Sequence, residues 1–442
     1  MVDVVPRSVQ PEQGKIPNLA GDIRHLIPKY GLRNYWYPGM PLHKVPRNRP
    51  VKRSMLGEDI VFFRSKDGKD AAALTDICPH RGARLSEGHV HWPGTVACPY
   101  HGWVFDESGK NVAVLSEGPE SKVCGKPGTE AKKYPTRLLK GVVFIWVGET
   151  DPAPIEEDLP PEFFRPTAYM FYNDHIIWPT NWLVALENSL DSHVGYLHRD
   201  NMQALLGADN FGAPGTDGYR PIFTGNGFRS GRATGRPRLN RQDAYPNGWR
   251  WPKHNFRIWW SWLFVPMFSI TKVPSPIPDD THRWGGGHKL PGMFRAFGGG
   301  LPNRQSPMFA KGGGGLFGLY TRWPVALDPW RTNLWYFHWT EPKSAIQRWW
   351  FWLLYNTMYR WLGEYNFSVQ DGSMMWNQRY DTPEKLSGTD AEVIQWRKLV
   401  VTKAFGGRNA PFGYEREADT GIEEKAVAPV AAGYHLNREV KA

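Results

Sequence analysis

Hydrophobic and polar residues alternate over short runs in the first third of the chain. Between about Tyr35 and Val147, runs such as Asp59–Phe63 are separated by Asp-Gly, Ser-Gly and Pro-Gly pairs. Alternation with a period of two, interrupted by turn-forming pairs, is typical of β-strands. The continuous apolar segment Gly141–Val147 predicts a buried strand. The pattern therefore predicts a β-rich unit in this region.

Two segments border this unit. Residues 1 to about 30 predict a polar leader with a short helix and lack the apolar core of a signal peptide. Residues 151–161 are rich in proline and acidic residues, which predicts a domain boundary. We therefore expect a leader over residues 1–34, a β-rich domain over residues 35–150 and a second domain over residues 151–442.

The spacing of apolar residues becomes helical at two places in the second domain. Leu183, Leu186 and Leu190 fall on one helical face, which predicts a helix over residues 180–200. A long helix is predicted over residues 344–377. Between these two segments, the pattern predicts strands mixed with loops.

Two features of the intervening residues 205–340 refine this picture. Arg257–Ile270 predicts a pair of strands with a break at proline. Glycine clusters at Gly285–Gly287, Gly298–Gly300 and Gly312–Gly315 do not lie in a GxGxxG frame between a strand and a helix. They therefore predict loops, and they do not predict a nucleotide-binding site.

The segment Trp349–Tyr355 (WWFWLLY) comes nearest to a membrane span but is much shorter than the roughly 18 apolar residues that a span requires. We interpret it as one buried face of a helix, with contact to a membrane surface as the alternative. No membrane span is predicted.

Composition and charge exclude some classes of function. The net charge is +11, but no block of five basic residues suggests a nucleic-acid tail. The cysteines, Cys78, Cys98 and Cys124, are too few for a disulfide framework, so a reducing cytoplasm is the expected location. The 22 tryptophans, 22 phenylalanines and 18 tyrosines are enough to line an apolar cavity as well as fill a core.

Two of the cysteines form a ligand pattern with nearby histidines. The pattern is C-x-H, a spacer, and C-x-x-H, and it consists of Cys78, His80, Cys98 and His101. Such a set can hold one zinc ion tetrahedrally. It can also hold a two-iron two-sulfur cluster, with the cysteines on one iron and the histidines on the other. Prolines after the cysteines and glycines after the histidines favour two tight loops around the metal.

The segment Cys78–Trp103 resembles the Rieske domain of Rieske non-haem iron oxygenases, whose loops have the form CxHRGxxL and CxYHGW. Gly31–Met40 (GLRNYWYPGM) is similar to the start of that domain. The resemblance implies a [2Fe-2S] cluster held by the four ligands, and a zinc ribbon is the alternative. His89 and His91 lie between the loops and are expected to be surface residues, and Cys124 is expected to be a loop thiol.

A second constellation follows the predicted domain boundary. Glu187–His198 (ENSLDSHVGYLH) resembles the family pattern E/D-N-x-x-D-x-x-H-x4-H. The resemblance assigns His193 and His198 to a mononuclear Fe(II), and catalytic roles to Asp191 and Asn188. Two histidines and one carboxylate hold one face of an octahedron and leave positions for O₂ and substrate. The spacing from Asp191 to His193 is two rather than the usual three.

The third iron ligand is expected much later in the chain. Asn366–Asp371 resembles the late helix of the family that carries the carboxylate ligand, so Asp371 is the predicted ligand and Asp328 the weaker candidate. The counterpart of Asp191 in the family links an iron-bound histidine to a Rieske histidine of the neighbouring subunit, here His101 of the partner subunit. The resemblance therefore implies a homotrimer.

Together these resemblances imply an α+β protein. Its N-terminal Rieske domain would precede a catalytic domain with an antiparallel sheet flanked by helices, of the helix-grip type. The function implied is the terminal oxygenase component of a multicomponent system that hydroxylates an aromatic substrate with O₂. Electrons would come from an NAD(P)H-dependent reductase, with or without a ferredoxin. Gly31–Met40 and Ala391–Leu399 resemble the carbazole and oxoquinoline oxygenases.

Three alternatives stay open from the sequence. A monooxygenase or an O- or N-demethylase of the same family would use the same ligands. A Rieske electron carrier would leave about 290 residues after the cluster domain without a role. A zinc-ribbon protein that binds nucleic acid through its positive charge is the most distant alternative.

Overall fold

The computed structural model describes twelve stretches of the chain. They are residues 23–118, 120–191, 197–198, 219–224, 227–232, 287–289, 292–297, 319–342, 344–376, 378, 383–387 and 390–401. Three small antiparallel sheets occupy the first part of the chain, and one larger antiparallel sheet with helices occupies the second.

Ten strands build the three small sheets. The first sheet has the order β1-β10-β9, the second β2-β3-β4-β8 and the third β5-β6-β7. Their bounds are Tyr35–Pro41 (β1), Val51–Met55 (β2), Glu58–Arg64 (β3), Ala71–Thr75 (β4), Thr95–Ala97 (β5), Trp103–Asp106 (β6), Asn111–Val114 (β7), Lys133–Tyr134 (β8), Thr136–Leu139 (β9) and Val142–Val147 (β10). Every residue of β10 is buried, as the apolar run predicts.

Two tight hairpins fix the register of these sheets. Leu56 and Gly57 join β2 to β3, and Lys140 and Gly141 join β9 to β10, and all four residues have positive φ. Two-residue turns of this kind match the right-handed twist of the paired strands. A Cβ on Gly57 would overlap the ring of Tyr30, so this position also lacks space for a side chain.

The larger sheet has seven strands in the order β11-β17-β16-β15-β14-β13-β12, and every neighbouring pair is antiparallel. Their bounds are Tyr169–Trp178 (β11), Tyr219–Thr224 (β12), Gly227–Arg232 (β13), Gly287–Lys289 (β14), Met293–Phe297 (β15), Leu319–Asp328 (β16) and Arg331–Thr340 (β17). The predicted mixture of strands and loops over residues 205–340 agrees with six of these strands. Arg257–Ile270 and most of the glycine clusters lie outside the described residues.

Four described α-helices accompany this sheet: Trp182–Glu187 (α1), Ala345–Leu354 (α2), Ser368–Met375 (α3) and Ala391–Leu399 (α4). A π-helical segment, Tyr355–Phe367, connects α2 directly to α3. The predicted long helix is therefore present as one helical run, residues 345–375, whose middle is wider than an α-helix.

The helix predicted over residues 180–200 is present from Trp182 and is interrupted after Glu187, and Leu197 is again helical. Asn181 begins α1, because its side-chain oxygen accepts a hydrogen bond from the backbone N–H of Leu183 at 2.9 Å. This first helix ends at Glu187, and residues 188–190 form turns. The hydroxyl of Ser189 donates to the carbonyl oxygen of Leu186 at 2.6 Å, a contact that competes with helical hydrogen bonding.

The aromatic segment of α2 has one buried face, as predicted. Phe351 and Tyr355 are buried, whereas the side chains of Trp349 and Trp352 are 57% and 49% exposed. The buried pair lies on the side that packs on the sheet, where the ring of Tyr355 stacks on that of Phe171 in β11.

One hydrophobic core joins the small sheets to the large one. The ring of Phe144 in β10 lies 6.4 Å from the rings of both Trp323 in β16 and Phe337 in β17. Phe163 fills the adjacent space, with its ring 5.3 Å from those of Phe144 and Phe337. The backbone N–H of Leu56 also donates to a carbonyl oxygen of β16.

A bulge in β11 adds a polar contact to this junction. The register with β17 shifts between Asn173 and Ile176, so Asp174 leaves the regular ladder. Its carboxylate is buried and contacts Lys44 Nζ at 2.6 Å and Arg53 Nη2 at 3.2 Å. Both cations come from the first part of the chain, so the bulge ties the two sheet systems together.

Buried polar side chains join the helical run to the sheet. The carboxylate of Glu364 accepts hydrogen bonds from Asn173 Nδ2 at 2.6 Å, His338 Nε2 at 2.9 Å and the Tyr355 hydroxyl at 2.6 Å. One helical turn later, the hydroxyl of Ser368 lies 2.8 Å from that of Tyr336. These contacts set the position of the helix on β11 and β17.

We predict that Glu364→Ala lowers the free energy of unfolding by roughly 3 kcal/mol, because it leaves several buried donors without their acceptor. Glu364→Gln keeps one acceptor oxygen and should lose less than half as much. Urea unfolding followed by circular dichroism measures both changes. The matched control is Glu156→Ala, at an exposed position. If Glu364→Ala lowers the free energy of unfolding no more than the control does, Glu364 does not hold the helix on the sheet.

Candidate metal centres

The two Cys-His loops have the same backbone construction. The backbone N–H of Gly82 donates to the carbonyl oxygen of Cys78 at 2.9 Å, and that of Gly102 donates to the carbonyl oxygen of Cys98 at 3.2 Å. Both glycines have positive φ. Each loop therefore makes a tight turn around its cysteine and its histidine. The two loops present their possible ligands in the same way.

The thiols and the imidazoles of these loops differ in depth. Cys78 and Cys98 are buried, His80 is exposed and His101 is half-buried. The rings of His80 and His101 lie 4.6 Å apart, and Trp103 stacks against His80 with its ring centroid 4.9 Å away. The four side chains converge from two sides, with the sulfur atoms inside and the imidazoles towards the surface.

The chemistry of the thiols fits a bound cation. Burial raises the pKa of the Cys78 thiol to about 12; the backbone N–H groups of His80 and Arg81 oppose this shift, and the neighbouring Cys98 adds to it. A metal ion supplies the positive charge that keeps such thiols deprotonated. The two backbone donors aimed at sulfur are contacts that tune a metal–thiolate centre.

The donor arrangement also suits a pair of iron ions. A two-iron cluster requires only two protein ligands for each iron, because sulfide supplies the others. Two thiols and two imidazoles in separate pairs meet that requirement.

A second constellation lies between the turn after α1 and the start of α3. His198 Nε2 lies 2.9 Å from Asp371 Oδ1, although the two residues are 173 positions apart in the sequence. The amide of Asn188 donates to the same carboxylate oxygen at 3.4 Å. His198 and Asp371 are both fully buried. The structure thus brings together three residues that the sequence predicts for the iron site.

The helix that carries Asp371 holds the His198 ring on two further sides. Phe367 stacks on the imidazole with a centroid distance of 3.7 Å, and Gln370 Oε1 lies 2.9 Å from His198 Nδ1. Sequence reasoning assigned no role to Phe367 or Gln370. Phe367 lies three residues before Gln370 and four before Asp371, on one helical face, and this spacing is the signal that could have indicated them.

The remaining predicted site residues have different positions. His193 lies outside the described residues, so its role stays a prediction. Asp191 is half-buried in the turn after α1, and its backbone N–H donates to the carbonyl oxygen of Glu187 at 3.1 Å. Asp328, the weaker ligand candidate, is the last residue of β16, and its carboxylate contacts Arg331 at 2.6 Å.

Two minor predictions about side-chain exposure are confirmed. His89 and His91 are exposed, and their ring nitrogens lie 3.1 Å apart. Cys124 is half-buried in a loop.

A network of ion pairs connects α1 to α4. The sequence analysis did not predict this network. Arg397 in α4 makes a bidentate contact with Glu187, at 2.6 and 2.8 Å, and also contacts Glu384 at 2.6 Å. Arg24 Nη1 also contacts the carboxylate of Glu384, at 2.8 Å. Burial alone would lower the pKa of Arg397, but the two carboxylates raise it above its ordinary value. The residue before Asn188 is thereby anchored to α4.

Comparison with known proteins identifies both parts of the chain. Residues 35–127 match the model of the Rieske [2Fe-2S] domain. Residues 146–226 match the model described as homotrimeric ring hydroxylase. The chain therefore combines a Rieske [2Fe-2S] domain with a segment that matches a ring-hydroxylase model.

One curated relative is similar in sequence, and two solved structures are similar in fold. The terminal oxygenase component of carbazole 1,9a-dioxygenase from Metapseudomonas resinovorans is 35% identical over 176 residues, which cover 39% of this chain and 44% of the relative. The terminal oxygenase of carbazole 1,9a-dioxygenase from Novosphingobium sp. KA1 has a TM-score of 0.62 at 21% identity, over 87% of this chain and 96% of that one. The oxygenase in a reduced complex with ferredoxin has a TM-score of 0.61 at 21% identity, over 87% and 92%.

These findings confirm the predicted fold class. The chain has a β-rich N-terminal domain and a second part with an antiparallel sheet flanked by helices. The aligned segment spans less than half the length of the curated relative. Among the helices that the structure describes, none combines the length and the apolar character that crossing a bilayer requires.

We predict that Arg397→Ala lowers the free energy of unfolding by about 3–5 kcal/mol, because it leaves the carboxylate of Glu187 without its buried cation. Arg397→Lys should be intermediate, since an ammonium group cannot form the two-pronged contact of a guanidinium. Chemical unfolding of each variant tests the order.

The control is Lys385→Ala, which removes the same charge from an exposed position next to Glu384. Equal stability of the Arg397→Ala and Lys385→Ala proteins would show that the network does not support α1.

Proposed function

We propose that this chain is the terminal oxygenase component of a multicomponent Rieske non-haem iron system, which hydroxylates an aromatic substrate by dioxygenation. The observation that carries the proposal is the buried contact between His198 and Asp371 in a chain that also has a Rieske domain. A cluster domain alone would account for electron transfer, whereas a second ligand pair in the adjoining part of the chain supports a site for chemistry. The name of the carbazole dioxygenase relative supports an aromatic substrate.

The cluster ligands in this proposal are those of the two equivalent loops. Cys78 and Cys98 would hold one iron, and His80 and His101 the other. The buried thiols and the outward imidazoles support this division. Because His80 is exposed, electrons have a short route between the cluster and the surface.

The mononuclear site in this proposal consists of His193, His198 and Asp371. The burial of His198 and Asp371 keeps water away from two of the three ligands. Asn188 orients the carboxylate through its amide, and Phe367 and Gln370 orient the imidazole. When bound, the cluster would supply single electrons. The mononuclear Fe(II) would supply the activation of O₂ for hydroxylation of the substrate.

The proposed role of Asp191 is to connect two subunits. Its half-buried carboxylate would accept a hydrogen bond from the imidazole of His101 of the partner subunit, and hold that ring near the iron ligands. A ring of three subunits would bring these groups together at each interface. The description of the matching family model as homotrimeric supports this arrangement.

The proposed electron donors are a ferredoxin and an NAD(P)H-dependent reductase. The net charge of +11 favours an acidic donor protein, and the rate of their encounter should fall with salt. A solved complex of a structural relative with ferredoxin supports this type of partner. A reducing cytoplasm, in which the three cysteines remain free thiols or metal ligands, is the proposed location.

We further propose the domain limits that the sequence predicts. Residues 1–34 would be a leader, residues 35–150 the cluster domain and residues 151–442 the catalytic domain. The start of β1 at Tyr35 and the end of β10 at Val147 support the limits of the cluster domain. The junction carries a common core, so we expect the two domains to unfold together.

We predict that the purified protein contains about three irons and two acid-labile sulfides per chain. His198→Ala, His193→Ala and Asp371→Ala should each lose the mononuclear iron and keep the absorption spectrum of the cluster. Cys98→Ala should bleach the cluster. Iron and sulfide contents, with absorption spectra before and after dithionite, provide the measurement.

The iron and sulfide contents separate the alternatives. Two irons and two sulfides, with no third iron taken up on addition of Fe(II), would indicate an electron carrier. Zinc without sulfide would exclude the Rieske assignment. A bleached cluster in Asp371→Ala would contradict the division of ligands.

We predict that Asp191→Ala retains both metal centres but slows reoxidation of the reduced cluster by O₂ and substrate roughly 10- to 100-fold, as is common when a residue that orients a ligand is removed. Stopped-flow absorption of the cluster band measures the rate. Asp191→Asn keeps the side-chain shape and tests whether the charge matters. An unchanged rate in Asp191→Ala would mean that another residue connects the two sites.

A further inference from the structure

The imidazole of His198 is held by three side chains of a single helical turn. Phe367 stacks on its face, Gln370 Oε1 lies 2.9 Å from Nδ1, and Asp371 Oδ1 lies 2.9 Å from Nε2. These three residues have the spacing i, i+3 and i+4, so they project from one face of the helix. The ring is fully buried, and each of its nitrogens lies within hydrogen-bond distance of one of these side chains.

The two ring nitrogens have different tasks in a metal site. A neutral imidazole has one nitrogen with a lone pair and one with a proton, and only the first binds a metal ion. Nε2 faces Asp371, the carboxylate predicted to share the iron, so Nε2 is the nitrogen directed towards the metal. The proton must then be on Nδ1, and it needs an acceptor within the buried site.

We propose that Gln370 is a positioning residue that holds the proton of His198 on Nδ1 and thereby presents the Nε2 lone pair beside Asp371. This inference rests on the proposed function, because it assigns a role within the proposed iron site. The carbonyl oxygen of the Gln370 amide accepts the Nδ1 proton, and Phe367 prevents the ring from rotating out of the hydrogen-bond plane. The helix therefore supplies one ligand and the orientation of another.

The choice of glutamine has a physical reason. An amide offers an acceptor oxygen and a donor NH₂ group at the same position. Without metal, Nε2 can keep its proton and donate it to Asp371, and the Gln370 amide, turned over, donates to the bare Nδ1. With metal, the ring proton moves to Nδ1 and the amide oxygen accepts it. The same side chain satisfies the buried ring in both tautomers, which an aliphatic residue cannot do.

The test compares two variants of one residue. Gln370→Leu preserves the approximate size and removes both hydrogen-bonding groups. Gln370→Glu preserves an acceptor for the Nδ1 proton and adds charge that makes the imidazole a stronger ligand. Each full-length protein is prepared with its cluster intact and its mononuclear iron removed. Fe(II) is then titrated anaerobically against a competing chelator to obtain the dissociation constant of the third iron.

We expect Gln370→Leu to weaken Fe(II) binding roughly 10- to 100-fold, the usual effect of removing the hydrogen-bond partner of a metal-bound histidine. Gln370→Glu should bind Fe(II) as tightly as the unmodified protein or more tightly. The cluster spectrum should be the same in all three proteins. Rescue by glutamate separates positioning of the ring from a general effect of altering the helix.

The matched control is Gln347→Leu, the same substitution in the first turn of α2. It should leave the Fe(II) affinity unchanged. Equal affinities of Gln370→Leu and the unmodified protein would overturn the positioning role while leaving the iron site intact. If Gln370→Leu does not fold, weakened binding by Gln370→Glu would overturn the role. Failure of the unmodified protein to bind a third iron would overturn the proposed function together with this inference.

Discussion

The burial of polar side chains along the helical run of residues 345–375 is the constraint on which the second site depends. A buried carboxylate is stable only where donors surround it, and Glu364 has donors on both β11 and β17. Ser368 adds a contact to the same face of the sheet. A shift of the helix by one residue would break all of these contacts, because they all require the same position of the helix on the sheet. Asp371, on the next part of the same face, is thereby held where it can contact His198.

The junction between the small sheets and the large one has a similar character. Phe144 packs between rings of β16 and β17, so a strand of the small sheets also contributes to the core of the large sheet. The β11 bulge then adds a buried carboxylate, Asp174, between Lys44 and Arg53. Apolar packing provides most of the stabilisation here, and the ion pairs select one orientation, since a buried charge is tolerated only with its partners in place.

Local patterns in the sequence predicted what local physics determines. The Asp67-Gly68 and Pro93-Gly94 pairs form turns in which glycine has positive φ, and the Cys-His loops close through backbone contacts within each loop. The end of α1 was not predicted, because Ser189 competes locally with the helical hydrogen bonds. The roles of Gln370 and Arg397 were also missed. Their partners lie 172 and 210 positions away, and no pattern within a single segment reports a contact that only the complete fold creates.

The two centres differ in the length of chain that must be closed to form them. The cluster loops lie within one short segment, Cys78–His101, whereas His198 meets Asp371 across 173 positions. Closing a longer loop costs more conformational entropy, and contacts of high sequence separation form later in folding. During synthesis, the loop segment leaves the ribosome long before α3 exists. The four side chains of the Cys-His loops can therefore meet on a nascent chain, whereas the contact between His198 and Asp371 must await synthesis of α3.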